Sequence, residues 1–162
     1  MQVDDNRIFM DYYSLRQTEH VPIHRFIDDK RLKVSVKKFY NLYRRWLLDN
    51  GMEYTYWNST EYLDWYCKYF KVDDNTKERC MGILKDINRV KEEFNPLTIA
   101  TSVFIIGSGF LSHLRNITKL NEIVEISGLT PTPIQKCIKW IDDNKLYSKR
   151  ENNIKINMIN VK

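Results

Sequence analysis

The sequence has little of what metal sites, disulfide scaffolds and membrane spans require. Its three cysteines, Cys67, Cys80 and Cys137, are widely spaced, form no CxxC pair and have no nearby histidine to complete a zinc set. They read as buried thiols in a reducing compartment. The three histidines, His20, His24 and His113, have no nucleophile or ligand set around them. His20 and His24 are spaced to share a helix face, but Pro22 between them breaks the helix that would align them on a metal. The acid pairs Asp28-Asp29, Asp73-Asp74 and Asp142-Asp143 fall where helix caps and exposed turns favour carboxylates. These residues suggest no enzymatic role, no metal and no cofactor. The longest apolar run, Val103 to Ile106 with its flanks, is too short to span a bilayer. The opening MQVDDNRIFM carries acids where a signal peptide needs positive charge. Nothing in the sequence exports or anchors the chain, and no membrane partner is expected.

What is present is a chain of 162 residues with the apolar and charged fractions of a globular protein and a net charge of +5. That length suits one ordinary domain or two small ones, and the basic surplus favours polyanions or acidic protein surfaces. Apolar residues recur at helical spacing almost throughout, and the breakers fall between the periodic stretches rather than inside them, which predicts an all-α fold. From Val34 to Leu48, Phe39, Leu42, Tyr43, Trp46 and Leu47 make one stripe, ended by Asp49-Asn50-Gly51. A linker from Met52 to Asn58 follows, then a short aromatic helix over 61–70 capped by Ser59 or Thr60. Residues 72–75 cap a helix over 76–93, and Asn95-Pro96 opens the next. Leu97 to Leu114 is nearly continuous in apolar and small residues, the pattern of a central helix buried on all sides, with a strand as the competing assignment. Thr118 caps a short helix over 119–126, Ser127-Gly128-Leu129 turns, and a last helix runs over 134–144. The tail after Lys149 is frayed or a small edge strand.

Two segments look related. VPIHRFIDDKRLKVSVKKFYNLYRRWL and ITKLNEIVEISGLTPTPIQKCIKWI each read as a short helix, a turn and a longer amphipathic helix, which suggests a duplicated helix-turn-helix. With EYLDWYCKYFKV, TKERCMGILKDI and PLTIATSVFIIGSGF in order before the second of them, the chain resembles the core of transcription factor IIB, the initiation factor built from two cyclin-like helical repeats. The correspondence covers a complete second repeat over 61–147 and a partial first repeat over 1–50. Residues 51–60 form the linker and 148–162 the tail. In the first repeat it rests on Arg16-Gln17, Val21-Pro22 and VSVKKFYNLYRRWLL, with no counterpart of that repeat's first two helices or of the family's zinc ribbon. The chain would then be a shortened core or a reduced variant from a compact genome such as that of a large DNA virus. Its wealth of Asn, Lys, Ile and Tyr suits an AT-rich genome.

The resemblance implies cyclin-like repeats that each end in a helix-turn-helix, and a general initiation factor that binds promoter DNA with a TATA-binding protein and helps to position RNA polymerase. The expected location is the nucleus, or a cytoplasmic viral factory. By position, Thr132 and Gln135 would face base edges, Lys136 and Lys139 would meet or flank phosphates, and Thr118, Lys119 and Thr130 would also bind DNA. Gln135 stands where a guanine-reading Arg is common in the family, which moves the preferred site toward A·T. A solvated helix face is the competing account of Lys136 and Lys139.

Independently of the resemblance, Lys30, Arg31, Lys33, Lys37, Lys38, Arg44 and Arg45 have no acid among them through their span, a one-signed face suited to phosphate or to an acidic protein. The resemblance adds the acidic surface of a TATA-binding protein as its partner. The aromatic group Tyr62, Trp65, Tyr66, Tyr69 and Phe70 reads as repeat core rather than as a base-stacking platform, and Tyr54, Tyr56 and Trp57 as packing between repeats. Two other functions stay open. One is a cyclin-like interaction module that activates a kinase or scaffolds proteins. The other is a winged-helix module of a viral primase or helicase, which requires a β-hairpin between Gly51 and Asn58.

Overall fold

The computed structural model describes residues 5–54, 57–88, 94–110 and 117–144, with the side chains of 117 and 118 outside that set. The described residues form eight α-helices and no strand. The chain divides into two compact units, Met1–Tyr56 and Trp57–Lys162. The tail, His113 and the far end of the helix expected over 76–93 lie outside the described residues.

The first unit holds α1 (Asp5–Thr18), α2 (Ile23–Asp29) and α3 (Val36–Asp49). Its core is aromatic because few residues must fill it: Phe9, Tyr12, Phe26, Phe39, Tyr43 and Trp46 are buried together. Most of their rings meet edge-on or tilted, with Tyr12 and Phe26 centroids 4.8 Å apart and Phe9 and Phe39 5.4 Å apart, while Tyr43 stacks on Phe39 and on Trp46. Polar ends are satisfied locally: Tyr12 OH donates to the Val21 carbonyl at 2.8 Å, and Trp46 Nε1 donates to Asn6 Oδ1 at 2.7 Å. Arg16, on α1, is buried and bonded to His20 Nδ1 at 3.2 Å. It therefore belongs to the interior of this unit and not to a surface.

The second unit holds α4 (Ser59–Tyr69), α5 (Asp74–Asn88), α6 (Pro96–Ser108), α7 (Ile117–Ser127) and α8 (Pro131–Asp143). Helix α6 is buried at every residue from Thr98 to Gly107, so it has no solvent face, and α4, α5, α7 and α8 pack around it. Burial on all sides is why its sequence lacks an amphipathic period. Asn95 caps it, accepting from the Thr98 N–H at 2.8 Å, and Pro96 takes the first turn, where a missing N–H costs little. It stops at Gly109, φ 76°, earlier than the expected Leu114, because that glycine adopts the left-handed conformation that closes a helix. A buried hydroxyl pair between α4 and α6 is ordered in direction. Thr101 Oγ1 donates to the Leu97 carbonyl at 2.8 Å, which leaves Tyr66 OH to donate to Thr101 at 2.8 Å. Burial pushes the Tyr66 phenol well above its ordinary range, so it remains a donor. Tyr66→Phe should cost about 1 kcal/mol in a chemical denaturation curve, since Thr101 keeps its other bond.

Caps account for most differences from the sequence-based expectations. Helix α4 is capped by Asn58, not by Ser59 or Thr60. Glu61 N–H donates to Asn58 Oδ1 at 2.8 Å, and Asn58 N–H donates to Glu61 Oε1 at 3.2 Å. This reciprocal box outcompetes a hydroxyl one residue later. Asn58→Ala should lower stability by about 1 kcal/mol. Thr118 lies inside the first turn of α7 rather than at its cap. Tyr54 packs with Tyr40 and Tyr43 in the first unit, and Trp57 with Tyr62 in the second, while Tyr56 lies outside the described residues. Gly51 to Tyr54, Trp57 and Asn58 are not in a strand. The hairpin required by a winged-helix module is not formed by the described residues there.

Candidate nucleic-acid interface

Two pairs of consecutive helices carry the candidate site residues, α2 and α3 in the first unit and α7 and α8 in the second. In the first, α2 ends at Lys30, and Arg31 takes a left-handed φ of 54° that lets Leu32 N–H reach back to the Ile27 carbonyl at 3.0 Å. Ser35 then caps α3, accepting from Lys38 N–H at 3.1 Å. The periodicity of α3 turns Phe39, Tyr43, Trp46 and Leu47 inward. The opposite side is left to Lys37, Asn41, Arg44 and Leu48, flanked by Lys38 and Arg45. All seven cations, Lys30, Arg31, Lys33, Lys37, Lys38, Arg44 and Arg45, are exposed. Among the described residues none of the seven enters an ion pair. Arg44 lies over the Tyr40 ring at 5.6 Å and Lys30 over the Phe26 ring at 5.9 Å, contacts that orient the cations without neutralising them.

Arg31 is informative because it occupies a conformation in which glycine is unstrained. A left-handed non-glycine residue costs on the order of 1 kcal/mol, partly offset by the smaller entropy of its unfolded chain. Arg31→Gly should therefore leave thermal stability equal or raised, by up to about 1 kcal/mol, while weakening any binding that uses the basic face. Thermal melts and a polyanion titration of the same sample separate the two effects.

In the second unit, α7 closes at Ser127. Its hydroxyl donates to the Val124 carbonyl at 2.7 Å and accepts from Leu129 N–H at 3.0 Å, while Gly128 takes φ 72°. The turn expected over Ser127-Gly128-Leu129 is thus set by one hydroxyl and one glycine. Thr130 occupies the N-cap position of α8 with extended backbone but no side-chain cap bond, and Pro131 and Pro133 both lie in the first turn. Both prolines remove N–H donors at this helix start, so it offers fewer backbone contacts to a phosphate than an ordinary N-terminus.

Helix α8 buries Ile134, Cys137, Ile138 and Ile141. Thr132, Lys136, Lys139 and Asp143 are exposed on its far side. Gln135, expected to face base edges, is half-buried at the border of the packed face. Lys139 approaches Asp143 at 3.9 Å, an exposed pair of small energy that brings an acid onto the same stripe. Lys119 on α7 is exposed and lies over the Phe110 ring at 5.8 Å. The side chain of Thr118 lies outside the described residues. Asp143→Ala should strengthen binding of a polyanion to this face about twofold at low salt, measured by fluorescence anisotropy, because one repelling charge leaves the stripe.

The aromatic group divides. Tyr62 and Tyr66 are buried, Trp65 and Phe70 are half-buried against the core, and Tyr69 is exposed with its ring stacked on Trp65 at 5.1 Å. Among the described residues no group of His, Cys, Asp and Glu could hold a metal ion, and no helix is long and apolar enough to cross a membrane. Comparison with protein-family models, with curated proteins and with solved structures finds no match.

Proposed function

We propose that the chain is a non-enzymatic transcription initiation factor of the transcription factor IIB type, which binds promoter DNA together with a TATA-binding protein and helps to place RNA polymerase. The observation that carries this reading is the exposed cationic face of α3 and the turn before it, seven charges of one sign with no acid paired to them among the described residues. Such a face releases counterions when it meets phosphates, and it complements an acidic protein surface equally well. The second unit adds support: a helix buried on every side is enclosed by four others and followed by a short helix, a tight turn and an amphipathic helix. That order is what a cyclin-like repeat ending in a helix-turn-helix requires.

On this reading the first unit supplies most of the affinity. The second contributes a weak reader, in which Thr132 and Lys136 reach outward and Gln135 reaches a base edge only along the border of its helix. Half-burial of Gln135 and the acid beside Lys139 favour the second reading to the same extent, a cyclin-like module whose partner is a protein. A gel shift on AT-rich promoter DNA, with and without a TATA-binding protein, distinguishes the two. The initiation factor predicts a supershifted complex whose affinity falls steeply with salt, and absence of DNA binding at low salt leaves the interaction module.

A further inference from the structure

The outward side of α3 carries more than charge. Two rows of i, i+4 neighbours run along it, one made by Lys37, Asn41 and Arg45 and the other by Val36, Tyr40, Arg44 and Leu48. The first row is cationic until Asp49 closes it. The second has an apolar residue at each end, Val36 at 48% exposure and Leu48 at 78%. Leu48 is the most exposed large apolar side chain among the described residues. Between the two ends Tyr40 is half-buried against Tyr54, with ring centroids 6.5 Å apart, and Arg44 lies over the Tyr40 ring. That contact restricts the guanidinium without neutralising it. At the rise of a helix the row from Val36 to Leu48 is about 18 Å long.

We propose that this row docks an acidic, amphipathic helix of a protein partner, which sets apolar side chains against Val36 and Leu48 and carboxylates against Arg44, Lys37 and Arg45. The inference rests on the reading of α3 as a partner-binding face, and it narrows the partner along this row to protein. A phosphate backbone offers nothing apolar, so Leu48 stays wet against it, whereas a protein covers that side chain and gains from its burial. Rows of i, i+4 neighbours are the ridges by which helices interlock, and a second helix matches this one in form. A carboxylate accepts two parallel bonds from an arginine, which suits it to Arg44. Charge selects against occupants that the chain could itself supply. A second copy docking through the same face would set cation against cation, and so would the tail, in which Lys149, Arg150, Lys155 and Lys162 outnumber Glu151. Lys30, Arg31 and Lys33 precede α3 and lie off the row, so they stay available to phosphate.

The test titrates the full chain into labelled probes: a synthetic helical peptide with leucines along one stripe and glutamates elsewhere, polyglutamate of equal length, an AT-rich duplex, and phosphatidylserine vesicles. The amphipathic peptide should bind about tenfold more tightly than polyglutamate. Leu48→Ser should lower the peptide affinity about tenfold, Leu48→Met should keep most of it, and neither should change duplex affinity by more than about twofold. Leu48 is exposed, so both variants should keep the parent's melting temperature. Equal affinity for the peptide and polyglutamate, or a peptide affinity insensitive to Leu48→Ser, would overturn the proposal. So would a Leu48→Ser loss as large on the duplex or the vesicles as on the peptide, or self-association of the chain that Leu48→Ser abolishes. If the peptide binds with this dependence and the duplex does not bind at low salt, the inference stands and the DNA-binding reading fails. A bound duplex with an ignored peptide overturns the inference alone.

Discussion

Replacing Lys37 and Arg44 together with glutamate should lower affinity for promoter DNA bound by a TATA-binding protein by tenfold or more near 150 mM salt, a loss of about 1.4 kcal/mol or greater. These two residues lie on the outward stripe of α3, opposite Phe39, Tyr43 and Trp46. Both are solvent-exposed and unpaired with acids among the described residues, so reversal removes attraction without opening the core. If both meet phosphates, the slope of log affinity against log salt should become shallower by about two. Lys136→Ala with Lys139→Ala should have a smaller effect, because Asp143 already offsets part of the charge on α8. A larger loss from the α8 pair would place the dominant contact there instead. An unchanged melting temperature in the α3 variant shows that the loss is one of binding and not of folding.

Gly107→Ala should destabilise the second unit by about 2 kcal/mol, and Gly82→Ala should stabilise it by up to about 1 kcal/mol. Both glycines are inside helices, α6 and α5, and intrinsic propensity favours alanine over glycine at both. They differ in what an added methyl would meet. At Gly82 there is nothing within 4 Å. At Gly107 the methyl enters the space of Cys80, including its backbone, which cannot rotate away as a flexible side-chain end could. The overpacking cost therefore exceeds the propensity gain. Urea unfolding of the two variants beside the parent, followed by tryptophan fluorescence, gives opposite shifts of midpoint. Shifts of the same sign would show that α5 and α6 are not so closely opposed.

The helical class was legible because its signals are local. Phe39, Tyr43, Trp46 and Leu47 repeat at helical spacing, Asn95-Pro96 starts α6, and Gly51, Gly109 and Gly128 close helices with positive φ. The all-round apolar character of Leu97 to Gly107 already distinguished a buried helix from a surface one. The caps were less legible. Asn58 and Ser59 are both good N-cap residues, and only the position of Glu61 three residues after Asn58 decides between them. That signal was in the sequence, as Asn-x-x-Glu, and was outweighed by two adjacent hydroxyls. The stop at Gly109 was similarly available, but the apolar residues beyond it extended the expected helix.

The candidate interface was legible in part. One-signed charge over Lys30 to Arg45 is a property of composition, and its exposure follows from the amphipathic stripe it opposes. The rank of the residues on α8 was not, because a position at the border of a packed face depends on how α8 is rotated against α6, a contact between residues far apart in the chain. Gln135 thus reads as outward by resemblance, and its half-burial is set by tertiary packing. Arg16 is a sharper example. Its side chain is buried and meets His20 Nδ1 at 3.2 Å, a burial that charge and spacing do not indicate.

By itself, then, the sequence determined that this chain is helical, where most of its helices lie to within about three residues, and that one helix presents a face of a single charge sign. These follow from spacing, capping and charge within a turn or two of the residue concerned. Only the tertiary structure decided that Gly107 must be glycine while Gly82 need not be, and that Gln135 is half-covered. Each of those depends on the distance between two helices, and van der Waals repulsion changes within an ångström, a scale that periodicity does not encode.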